Sequence, residues 1–189
     1  MAGGTAHARG TGSMILDYTV TWLEMTARPT LPRREKPDHG LSLIRAQNPP
    51  VHFFRYLYDA VGAAYEWTDL HTWHDAQIAA FAQDDAVHLN VAYRNGCPVG
   101  FIMLDFRDAP VADVAYFGLM PEAVGSGLGS WLLLEGIHDA WAAKIEKLTV
   151  NTCTLDHPSA LPLYQKMGFE PVRRQTLQRA ASSVSSGGA

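Results

Sequence analysis

The chain has 189 residues, 47% hydrophobic and 18% charged, enough to bury one full core as a single ordinary globular domain. Its net charge is −4, and basic residues adjoin only at Arg33-Arg34 and Arg173-Arg174, which points away from nucleic acid. Cys97 and Cys153 lie far apart without a Cys-x-x-Cys pair, and no apolar run reaches the roughly 18 residues of a membrane span. These features exclude a disulfide framework, a structural zinc site and a membrane partner, and lead us to expect a cytoplasmic protein.

Residues 1–13 are small and polar, unlike a secretory signal, and residues 180–189 are too poor in apolar side chains to repay ordering. We therefore expect a domain over 14–179 flanked by a flexible extension and tail. The β-branched and aromatic residues of 15–26 predict a first strand, broken off by Pro29 and Pro32. A second extended piece over 41–44 is expected to pair with it. After Pro49-Pro50, the spacing of Phe54, Tyr58 and Val61 predicts a helix over 51–61 that Gly62 ends. A short helix is expected over 75–82. Strands at 87–93 and 99–106 flank Asn95-Gly96, the strongest short-range hairpin signal, and 111–119 should extend the pair into a meander. Beyond Pro121 and a Gly-rich turn, Leu133, Leu134, Ile137, Ala140 and Trp141 mark one face of a helix over 128–143. A buried strand over 148–153 follows. Ala160, Leu163, Tyr164 and Met167 then give a helix over 158–167, capped by Gly168, with a last strand from Phe169.

The turn Val124-Gly125-Ser126-Gly127-Leu128-Gly129-Ser130 joins a strand to a helix, so its backbone N–H groups can converge on an anion at the helix N-terminus. It has no Gly-Lys-Ser/Thr and is not a P-loop, and Ser130 stands where a dinucleotide fingerprint needs glycine. From about Val87 to Val172 the chain resembles the GNAT superfamily of N-acetyltransferases. Their Arg/Gln-x-x-Gly-x-Gly/Ala fingerprint is met at Gly127 and Gly129, with Val124 and Ser126 departing from it. A second family pattern, Asn-x-x-Ala-x-x-x-Tyr-x-x-x-Gly-Phe, is met from His157 through Ala160, Tyr164 and Gly168 to Phe169, with His157 in place of Asn.

The resemblance implies an α/β (α+β) fold with a mostly antiparallel mixed sheet whose strands splay at an acetyl-CoA site. It implies that backbone groups of Phe117 and Leu119 pair with the pantetheine arm, that His157 lies near that arm, and that N–H groups from Gly125 to Ser130 hold the pyrophosphate. Tyr164 would protonate the departing thiolate, since a phenol stays protonated at neutral pH; on periodicity alone it is equally a core aromatic. The attacking amine must lose a proton, and Asp113 aligns with the catalytic Glu of some protein-modifying members, although it also reads as the start of a strand. Glu66 and Asp69, in the aromatic stretch Tyr65-Glu66-Trp67-Thr68-Asp69, are rival bases. His71-x-x-His74 lacks a third ligand, so no metal is expected. The cosubstrate implied is acetyl-CoA and the partner a small-molecule or peptide amine, attacked directly; a homodimer stays open. The rival from another class is a non-catalytic acyl-CoA sensor or scaffold.

Overall fold

A computed structural model describes residues 15–180. Of the flanking segments expected at 1–13 and 180–189, all but residue 180, the last of the closing strand, lie outside the described residues. In chain order the elements are β1 (Ile15–Met25), β2 (Leu41–Ala46), α1 (Val51–Gly62), α2 (Asp75–Ala82), β3 (Val87–Arg94), β4 (Cys97–Asp105), β5 (Val111–Leu119), α3 (Leu128–Ala142), β6 (Lys147–Cys153), α4 (Ala160–Lys166) and β7 (Glu170–Ala180). The strands form one mixed sheet in the order β2-β3-β4-β5-β6-β1-β7. Every pairing is antiparallel except β5 with β6.

The sheet separates two cores. On one face α3 packs its Leu128, Leu132, Leu133 and Ile137 against Ile102 and Leu104 of β4, Val114 of β5 and Leu148 of β6. On the other, α1 and α2 pack Phe54, Leu57, Val61, Ile78 and Phe81 against Leu89 and Val91 of β3 and Phe101 of β4. The β3–β4 hairpin turns at Asn95 and Gly96, whose φ values of +52° and +85° are those of a type I′ turn. Gly168 ends α4 with φ +101°, the left-handed cap that the sequence predicts.

One expectation is corrected. β2 does not pair with β1: it pairs with β3, from Leu41 opposite Arg94 to Ala46 opposite Leu89. The proline-containing connection between them crosses over α3, where Arg33 binds Glu135 and Asp139, and so delivers β2 to the opposite edge of the sheet. β1 lies instead between β6 and β7, with Thr21 opposite Thr152 on one side and Arg174 on the other. Gly62 ends α1, as the sequence predicts. It has φ −83°, and its role is spatial: a Cβ there would stand 2.5 Å from Cβ of Trp67.

Since β1 is an interior strand, its core residues should matter as much as those of the meander. Leu23 is fully buried, and Leu23→Ala should cost about 2–5 kcal/mol of stability in urea denaturation. A loss below about 1 kcal/mol would mean that β1 is peripheral.

Candidate active site

β5 and β6 pair over three positions only, Val111 with Lys147, Ala112 with Leu148 and Asp113 with Thr149. Beyond them the register of β5 against β4 shifts: Leu104 faces Val114 and Met103 faces Tyr116, so Ala115 is the extra residue of a β-bulge. A bulge bends its strand and sharpens its twist, and here it carries β5 away from β6. The resulting fork opens into a cavity of about 820 Å³.

The fork exposes backbone. Met120 donates its N–H to the carbonyl of Val99 on β4, and backbone groups alternate sides along a strand. The N–H and C=O of Phe117 and Leu119 therefore point into the gap, as the family resemblance implies for a pantetheine arm. At the mouth, Gly125 and Gly127 adopt φ +82° and +78°, and Gly127 is the N-cap of α3. Leu128, Gly129 and Ser130 open that helix, so their N–H groups have no partner within it. Among the described residues the N–H groups of Gly125 and Gly127 also donate to nothing. These five donors make an anion cradle without a cationic side chain.

The rest of the turn serves itself. Ser126 donates both its N–H and its hydroxyl to the carbonyl of Ala123, at 3.3 and 2.6 Å, which removes it from the expected donor set. Val124 donates its N–H to Pro121, although its side chain lines the cavity. Leu128 sends its side chain into the core, and the Ser130 hydroxyl donates back to the carbonyl of Gly127.

Tyr164 lines the same cavity and is only 5% exposed. Its ring meets Phe117 and Phe169 edge-on, and among the described residues its hydroxyl makes no hydrogen bond within the protein. Burial, then the charges of Asp156 and Asp113, push the phenol above its ordinary value, so it stays protonated throughout the neutral range. His157 lies on the wall with Nδ1 accepting from the N–H of Ser159 at 3.1 Å. That bond leaves the proton of the neutral ring on Nε2, making His157 a donor and not a base. Cys153 also lines the cavity, but burial raises its thiol and so favours the protonated form.

The carboxylates part company. Glu66 lies on the wall, but Arg179 of β7 binds it, Nη2 standing 3.0 Å from Oε2 and 2.9 Å from the Glu66 carbonyl. It is therefore not the unencumbered base that the sequence suggests. Asp113 is not on the wall. It sits at the closed end of the fork, where Oδ1 accepts the Thr149 hydroxyl at 2.5 Å, next to the lining residue Val114. Burial raises its carboxyl, the Thr149 bond opposes this, and the Asp105 charge adds to it. His71 meets Asp59 at 2.8 Å, whereas His74 is the N-cap of α2 and donates its backbone N–H to Gln77.

Among the lining residues that sequence reasoning missed are Trp22, Asn151, Asp156 and Arg179. Asp156 accepts the Thr152 hydroxyl and the Cys153 N–H on Oδ2, at 2.7 and 2.8 Å, and the Trp67 indole N–H on Oδ1 at 3.3 Å. The only signal for it was an Asp closing the turn after a strand.

The profile of the Acetyltransferase (GNAT) family matches residues 36–169, so the chain belongs to the GNAT acetyltransferase family. No curated protein matches it in sequence. Among solved structures it is similar to a functionally unknown conserved protein from Staphylococcus epidermidis, at TM-score 0.60 and 15% identity over 88% of this chain and 63% of that one. It is also similar to a GCN5-related N-acetyltransferase from Kribbella flavida, at TM-score 0.57 and 17% identity over 85% of this chain and 56% of that one. The chain thus spans less than two-thirds of either of these proteins. An aminoglycoside acetyltransferase from an uncultured soil metagenomic sample aligns at TM-score 0.58 and 16% identity over 70% of this chain and 90% of that one. At these identities the neighbours establish the fold. Among the described residues no helix is long and apolar enough to cross a membrane.

Gly127 offers a test of the cradle. A Cβ there would meet nothing within 4 Å, but φ is +78°, which costs an L-residue about 1–2 kcal/mol. Gly127→Ala should therefore fold, and should weaken coenzyme A binding roughly tenfold if that strain is relieved by moving the N–H groups. Titration by thermal shift checks this; undiminished affinity would place the phosphates elsewhere.

Proposed function

We propose that this chain transfers an acetyl group from acetyl-CoA to a primary amine by direct attack, with Tyr164 protonating the departing thiolate. The observation that carries this reading is the convergence, in one cavity, of the five-donor cradle, the open edge of β5 and a buried phenol whose hydroxyl has no protein partner. The cradle suits a pyrophosphate, and the N–H and C=O groups of Phe117 and Leu119 suit the amides of a pantetheine arm. Acetyl-CoA, when bound, supplies the activated acetyl group: the amine nitrogen forms the amide bond as the thioester C–S bond breaks.

The chain's own residues then manage protons. Tyr164 holds one on its phenol oxygen and gives it to the sulfur, regaining it from solvent after release. Burial keeps the phenol protonated at neutral pH, so its proton is in place when negative charge develops on the sulfur. Asp113 takes the excess proton of the ammonium through water at the closed end of the fork. Its raised carboxyl makes it a stronger base than an exposed Asp, whereas Glu66 is bound by Arg179. An acyl-cysteine route through Cys153 is disfavoured, because its thiol is raised and the nearby imidazole nitrogen Nδ1 of His157 is already occupied.

Tyr164→Phe should lower turnover roughly 10²- to 10⁴-fold with acetyl-CoA affinity unchanged. A fall below about threefold would make Tyr164 a core residue only. The sign of the pH dependence follows from the raised phenol: wild-type turnover should rise as the amine deprotonates and should not fall again up to pH about 10, the ordinary phenol value. A descending limb centred near pH 9 would contradict this assignment.

Asp113→Asn makes a separate test. A carboxyl raised by folding favours the folded state fully below its unfolded-state value, and that advantage is lost as pH rises from there through the raised folded-state value. Removing the charge should therefore not destabilise the protein at neutral pH. Turnover there should fall about 10²-fold and recover near pH 10, where the amine deprotonates unaided. Loss of turnover that persists at high pH would remove Asp113 from the proton path.

A further inference from the structure

Aromatic rings line much of the cavity, among them Tyr18, Trp22, Tyr65, Trp67 and Tyr116. Trp22, Tyr65 and Trp67 are half-buried; the guanidinium of Arg173 stacks over the Trp22 ring, 4.6 Å from its centroid, and the remaining ring surface is open to a guest. Trp67 is held firmly. Its ring packs against Tyr58, Phe101 and Tyr116, and its indole N–H is anchored on Asp156 at 3.3 Å.

The charges of this wall are unequal in availability. It carries three carboxylates, Glu66, Asp69 and Asp156, and one guanidinium, Arg179. Arg179 and Glu66 bind one another, so neither adds much net charge. Asp69 is exposed at the rim, where solvent and salt screen it. Asp156 remains: it is half-buried and its three partners are all neutral donors. A carboxylate offers about four lone-pair sites, which leaves room for one more donor. Asp156 also lies close enough to the phenol of Tyr164 for its charge to be felt there, so an ammonium on Asp156 would be near the reacting end of the cavity.

On the reading that this cavity transfers an acetyl group, we propose that the acceptor is an arylalkylamine: a flat ring seated on Trp67, Trp22 and Tyr65, with a single ammonium meeting Asp156 and no carboxylate. Ring faces attract both a flat apolar body and a cation. An amino acid fits poorly, because Arg179 is already bound by Glu66, the exposed Arg173 stacks on Trp22 and donates to Gln175, and the carboxylate of the amino acid would face Asp156 and Asp69. A polyamine fits poorly as well, because its further ammonium groups would be desolvated against rings with only one unneutralised buried carboxylate to meet them.

The test uses the full chain with acetyl-CoA and three amines, 2-phenylethylamine, L-phenylalanine and spermidine, following thiol release. 2-Phenylethylamine should lead both others by at least about tenfold in kcat/KM, the discrimination typical of one unpaired charge. With coenzyme A bound, it should also quench tryptophan fluorescence, whereas the neutral 2-phenylethanol should need at least about tenfold higher concentration. Asp156→Asn should raise KM for the amine roughly 10- to 100-fold and leave the thermal shift by coenzyme A intact. Should that variant fail to fold, the amine and alcohol comparison on the wild type still decides the role of the charge. Equal or better turnover of spermidine or L-phenylalanine, or equal binding of the alcohol, would overturn the acceptor assignment while leaving acetyl transfer in place. Absence of any thermal shift by coenzyme A would overturn the acetyltransferase reading and this inference with it.

Discussion

The site depends on one geometrical constraint, that β5 and β6 pair for three residues and then separate. The extra residue at Ala115 turns β5 outward immediately after Asp113, so the strand keeps its ladder with β4 while its other edge is left open. A strand edge inside a sheet is normally paired, since buried backbone groups without partners are costly. Here the unpaired groups of Phe117 and Leu119 border a cavity, which is where such groups can be met by a ligand. The Gly-rich turn belongs to the same arrangement, because it begins five residues after β5 ends and aims the first turn of α3 at the mouth of the fork.

The two ends of the described chain complete the cavity. β1, placed between β6 and β7, contributes Tyr18, Val20 and Trp22, and β7 contributes Arg179. Arg179 ties the wall loop to the last strand through Glu66, with its guanidinium 5.6 Å from the centre of the Tyr18 ring. The opposite support is Asp156, which fastens the indole of Trp67 to the end of β6. Gly62 lets that indole approach α1, since any side chain there would collide with it. An acceptor wall made of loop residues is thus held at both ends by regular strands, which suits a site that must present rings in fixed orientation.

Much of this was legible in the sequence, and for identifiable reasons. Asn95-Gly96, the Gly127-x-Gly129 turn and the pattern from His157 to Phe169 are local signals: each requires particular backbone angles or a helical spacing within a few residues. The pairing of β1 was not legible, because strand composition states that a segment is extended without stating which edge it joins. That outcome is decided by the long connection over α3 and its Arg33 contacts. Asp156 and Arg179 were missed for the same reason, as their importance arises from partners 89 and 113 residues away. Asp113 was placed correctly at the start of β5, but a one-residue bulge moved the cavity wall past it. Ser126 illustrates the finer limit, since only the turn geometry reveals that its N–H is consumed by Ala123.

The central claim is that the open edge of β5 and the cradle at α3 together bind coenzyme A. Amide hydrogen exchange followed with and without coenzyme A reads this residue by residue. The account predicts slowed exchange at Phe117, Leu119, Gly125 and Gly127 to Ser130, with little change at Val124 and Ser126, whose N–H groups are already bonded within the turn. Protection confined to other parts of the chain, or none at saturating coenzyme A, would contradict it.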